Sequence, residues 1–76
     1  MIINVINFVP PTIPATDIVV TRFKVICEEI AQKAGGSVKS FEYSNGDVKI
    51  DIDECAADAL KDLLLKMAEA KKILFQ

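Results

Sequence analysis

Asn45-Gly46, flanked by alternating sequence on both sides, constrains this chain more than any other stretch. Asn-Gly suits the two central positions of a type I′ turn, where both residues need positive φ. A two-residue loop there pairs Tyr43 with Val48 and Phe41 with Ile50 on one face, and Glu42 with Lys49 and Ser40 with Asp51 on the other. One face is apolar and the other charged, so register and orientation are both specified. The spacing predicts two strands, 37–44 and 47–52. Val38 falls on the polar side of this alternation, which a bulge near Lys39 corrects.

Read as a strand, residues 2–9 place Ile2, Ile6 and Phe8 with Asn4 on one face, and Ile3, Val5 and Val9 with Asn7 on the other. Both faces are mostly apolar, as in a central strand covered on both sides. Pro10 and Pro11 stop any helix there, and the run to Pro14 is expected to be an extended connector. A helix follows, beginning between Pro14 and Thr16, capped by Thr12 or Thr16, and ending at Ala34 before Gly35-Gly36. Helical periodicity puts Val19, Phe23, Ile26, Cys27, Ile30 and Ala34 on its core face. Asp53 suits the cap of a second helix from Glu54 onward, with Ala56, Leu60, Leu63, Leu64 and Met67 as its buried stripe. Continued to the terminus, that helix would set Lys71 in its apolar face. A stop near Ala70–Lys72 with a short final strand over 73–75 avoids this, and the alternative is a helix that runs on.

The order strand–helix–strand–strand–helix–(strand), with right-handed crossovers, predicts an α+β, ferredoxin-like split β-α-β two-layer sandwich over residues 1–76. The sheet is expected to be antiparallel with the first strand central and both helices on one face. Phe23, Ile26, Ile30, Phe41, Ile50, Leu60, Leu64 and Met67 make the expected core. This architecture hosts many unrelated functions, so function has to be argued from surface and site.

The chemistry-bearing residues are few. Histidine is absent, which removes the usual general base and the commonest zinc ligand. The nine basic residues are scattered and the net charge is −2, so no basic stripe for nucleic acid is expected. Residues 1–9 lack the basic start and the length of a secretory signal, and no apolar run approaches membrane-spanning length. The two cysteines then point to free thiols in a reducing, cytoplasmic setting. Cys55 falls at a helix start, but neighbouring Asp51, Asp53 and Glu54 oppose a reactive thiolate. Cys27 falls on an apolar helix face, and a Cys27–Cys55 bridge is disfavoured by helix geometry. Asp47, Asp51, Asp53, Glu54 and Asp58 form the one acidic cluster, without the spacing of a calcium loop. Pro11-Thr12-Ile13-Pro14 has a Pro-x-x-Pro spacing that reads better as a connector. No cofactor, metal or catalytic residue is assigned.

What remains is apolar surface. Helices on one side of the sheet leave half of the first strand uncovered: Ile3, Val5 and Val9 or, in the opposite phase, Ile2, Ile6 and Phe8. Ile18 and Val25 add an off-face patch on the first helix, and Leu65 lies off-face on the second. Contiguous exposed apolar surface marks interfaces. The expected interface therefore comprises Ile3, Val5, Val9, Ile18 and Val25. The expected function is a non-enzymatic, self-associating module, a homodimer or higher, that binds a small ligand between copies or serves as an assembly subunit. The alternatives are an adaptor docking a different protein, and a small enzyme using carboxylates or Cys55.

Overall fold

The computed structural model describes residues 1–71 and 74–75. The elements are β1 (Ile2–Ile6), α1 (Ile18–Lys33), β2 (Val38–Ser44), β3 (Asp47–Ile52), α2 (Glu54–Lys71) and β4 (Leu74–Phe75). The fold is α+β, with a four-stranded sheet in the order β2-β3-β1-β4 whose neighbours all pair antiparallel. β4 meets β1 at Val5↔Phe75 and Ile6↔Leu74. Of the expected final strand, Ile73 lies outside the described residues.

The hairpin forms in the expected register. Asn45 and Gly46 both take positive φ, 49° and 87°. Tyr43 pairs with Val48, Phe41 with Ile50 and Glu42 with Lys49, and the register shifts between Val38 and Ser40. The extra residue there is Lys39, and the shift returns Val38 to the half-buried, core-packed side. Alternation along β3 follows directly: Val48, Ile50 and Ile52 are buried, while Asp47 and Lys49 are exposed.

That buried row decides the phase of β1. Ile3 pairs with Ile50 and Val5 with Val48, so the apolar row of β1 continues the apolar row of the hairpin. Ile3 and Val5 are completely buried. They meet Phe23, Cys27 and Ala31 of α1 and Ala56, Ala57, Leu60 and Leu64 of α2 in one core. Both helices thus pack on the same face of the sheet.

Alternation along β1 ends at Asn7. Its φ of 60° is the left-handed region that asparagine tolerates, and its N–H donates to the Asp47 carboxylate at 3.0 Å. The turn swings Phe8 inward, where its ring stacks on Phe23 with centroids 4.4 Å apart. Phe23 in turn meets Phe41 edge-on at 5.9 Å.

The segment after β1 is folded rather than extended. The Ile13 N–H donates to the Pro10 carbonyl and the Asp17 N–H to the Pro14 carbonyl, each at 3.0 Å. Helix α1 accordingly starts later than expected, with Asp17 as its cap in place of Thr12 or Thr16. The Asp17 carboxylate accepts from the Val19 N–H at 2.9 Å, satisfying one orphan donor of the first turn. Its end is a Schellman closure: Gly36 N–H to the Ala31 carbonyl at 2.8 Å and Gly35 N–H to Gln32 at 3.1 Å, with Gly35 at φ 84°.

The buried face of α1 is Val20, Phe23, Cys27 and Ala31, so the helix is rotated from its expected phase. Val19 and Ile26 are exposed, and Ile30 is half-buried. Of the expected core, Phe23, Ile50, Leu60 and Leu64 are fully enclosed, whereas Phe41 and Met67 pack against its margin. The cause is the sheet. β1 and β3 supply the buried aliphatics, and the helix turns its small Cys27 and Ala31 toward them so that it can approach closely.

Candidate functional site

The hairpin tip and the β1–α1 connector close on each other. The Val9 N–H donates to the Gly46 carbonyl at 3.4 Å, and the Tyr43 hydroxyl donates to the Ile13 carbonyl. A side chain at Gly46 would bring its Cβ within 2.4 Å of the Val9 carbonyl oxygen. The Pro-x-x-Pro stretch is therefore a folded strap against the tip rather than an extended polyproline segment, with Ile13 half-buried and Pro11, Thr12 and Pro14 exposed.

Chemistry-bearing side chains are dispersed into separate structural roles. Cys27 is fully buried, and burial, reinforced by Glu28, pushes its thiol up to about 12. It packs as a small hydrophobe. Cys55 is exposed, and both thiols are free. Three of the acids hold separate partners. Asp47 holds Asn7, and Asp51 meets the Met1 ammonium at 3.4 Å. Asp53 accepts from the Ser37 N–H at 2.9 Å and lies 3.5 Å from the Lys39 ammonium. The Ser37 backbone N–H, with help from Lys39, holds the Asp53 carboxyl below the usual carboxylate range. Among the described residues, no three acids or cysteines converge as metal ligands.

The expected interface residues separate into two groups. Ile3 and Val5 belong to the core and Val9 packs half-buried against it, so the expected outer row of β1 is corrected. The outward row is Ile2, Asn4 and Ile6, of which Ile2 is 52% and Ile6 36% exposed. Phe8 is absent from that row because of the turn at Asn7. Across the register Ile2 lies beside Asp51 and Asn4 beside Lys49, and Glu42 and Ser40 continue these rows on β2. The open sheet face is thus a shallow polar floor with two isoleucines near its centre.

Ile18 and Val25 lie on the solvent side of α1, 64% and 51% exposed, and are joined there by Val19 at 39% and Ile26 at 41%. Val19 and Ile26 also border an apolar groove between the helices, with Phe8, Leu63, Met67 and Arg22. Sequence reasoning missed this larger patch because it assigned Val19 and Ile26 to the core. The available signal was the excess of apolar residues around α1, more than one buried face can absorb. Leu65 is exposed on α2 at the expected off-face position.

Searches against protein-family models, curated proteins and solved structures find no match to this chain. Among the described residues, no helix is long and apolar enough to cross a membrane.

Proposed function

We propose that this protein is a small non-enzymatic module that associates with copies of itself, as a homodimer or higher, and serves as an assembly subunit or holds a small ligand where copies meet. The observation that carries this reading is apolar surface left outside a completed core. Among the described residues the core contains no buried polar or charged residue, yet Ile2 and Ile6 stand on the open sheet face and Ile18, Val19, Val25 and Ile26 on α1. Exposed apolar groups gathered on one element mark interaction surface, whereas single ones do not. The absence of histidine and the dispersal of the carboxylates weigh against a catalytic reading.

The fold assignment that goes with this proposal is a single ferredoxin-like domain. The order β2-β3-β1-β4 supports it, with β4 contributing the two residues Leu74–Phe75. Two free thiols support a reducing, cytoplasmic setting.

Light scattering on the purified chain, over a range up to high micromolar concentration, tests the functional reading. Dimer mass, or a mass rising with concentration, is the expected result. A constant monomer mass that persists while the chain captures apolar dye favours the adaptor alternative and overturns self-association.

A further inference from the structure

Resting on the self-association reading, we infer that the solvent face of α1 is the two-fold interface, and that its partner is the α1 of a second copy running antiparallel. Ile18, Val19, Val25 and Ile26 are all exposed on this helix. The charges among them are arranged symmetrically. Arg22 and Glu29 are seven residues apart, two helical turns or about 10.5 Å along the axis, and they lie on nearly the same meridian as Ile18 and Val25. The midpoint between Arg22 and Glu29 falls between Val25 and Ile26.

A two-fold axis through that midpoint reverses the second helix. It sets Arg22 against the partner's Glu29 and Glu29 against the partner's Arg22. Val25 and Ile26 meet their own copies at the centre. Neither Arg22 nor Glu29 has an ion-pair partner among the described residues, so both are available for these contacts. A parallel pairing in register would instead set arginine against arginine and glutamate against glutamate. The same charges therefore favour one arrangement and oppose the other. The open sheet face lacks this self-complementarity. Glu42, Asp47 and Asp51 there outnumber Lys49 and the Met1 ammonium that meets Asp51, so two copies meeting through it bring together surfaces with a negative excess.

Charge reversal and restoration test the assignment. Arg22→Glu and Glu29→Arg each place like charges across the interface, and both positions are exposed, so the fold is retained and circular dichroism confirms it. Each single variant is expected to weaken dimerisation by about tenfold or more, which is about 1.4 kcal/mol. The double variant restores the parent dissociation constant, because the pair is re-formed with its signs exchanged. If the parent chain dimerises and the single variants leave its dissociation constant unchanged, the α1 interface is wrong while self-association stands. If the singles weaken the dimer and the double does not restore it, the antiparallel pairing is wrong. A strictly monomeric parent removes the self-association reading itself.

Discussion

At the scale of single residues, Gly46 is constrained twice, by its positive φ and by the Val9 carbonyl oxygen that a Cβ would approach to 2.4 Å. Gly35 shares the positive φ, 84°, but has nothing within 4 Å of its Cβ position. The pair separates the two constraints. Gly35→Ala is expected to cost about 1–2 kcal/mol, the left-handed penalty alone. Gly46→Ala is expected to cost clearly more, because the connector must move to admit the methyl group. Equal losses in chemical denaturation would show that the tip does not rest on the connector. The positive φ of Gly46 is legible in the Asn-Gly pair. Its contact with Val9 is not, because no local pattern records which distant carbonyl a turn will meet. The thiols offer a second test. Cys55, being exposed, should be labelled by a thiol reagent in the native protein, and Cys27 only on unfolding, since burial shields it and keeps it protonated. A folded-state pKa raised to about 12 also means that stability is complete below the unfolded thiol value and declines as pH rises from there toward the folded one. Two thiols labelled at equal rates in the native state would contradict the burial of Cys27.

At the scale of elements, the hairpin was readable and the phases of β1 and α1 were not. In β2 and β3 one face is charged, so alternation and turn chemistry agree on register. Both rows of β1 contain aliphatic residues and one asparagine each, which leaves its phase to the partner strand: Ile3 and Val5 face inward because Ile50 and Val48 do. In α1 the apolar arc is wider than the buried one, and the sheet selects Val20, Phe23, Cys27 and Ala31 from it. The selection predicts an ordering. Phe23→Ala should cost about 3–5 kcal/mol as truncation of a buried aromatic, while Ile26→Ala, at a position 41% exposed, should cost clearly less, about 1–2 kcal/mol in the monomer. Helix α2 gives the parallel comparison, with Leu64 enclosed and Leu65 exposed. Comparable losses at Phe23 and Ile26 in the monomer would return the helix to the phase that periodicity alone suggests.

At the scale of the whole molecule, the layers are tied at both ends. At one end the hairpin tip holds the β1–α1 connector. At the other, Asp53 joins the end of β3 to the start of β2 through the Ser37 N–H at 2.9 Å and the Ser37 hydroxyl at 3.4 Å. Sequence marked Asp53 as a helix cap; its carboxylate reaches across to Ser37, a partner that appears only once α1 has returned the chain. This tie is pH-dependent, and its sign is fixed. The Ser37 backbone N–H first, and Lys39 second, hold the Asp53 carboxyl below its ordinary value, so the folded state binds this proton more weakly than the unfolded chain does. The contribution is therefore present above the unfolded aspartate pKa of about 3.9 and is lost as pH falls from there through the folded value. Asp53→Asn keeps an acceptor oxygen for Ser37 but removes the charge. The variant should be less stable than the parent near neutral pH, and the two denaturation midpoints should converge as the solution is acidified past the carboxylate range. A gap that stays constant across that range would mean that the charge of Asp53 contributes nothing and that the tie is a neutral hydrogen bond.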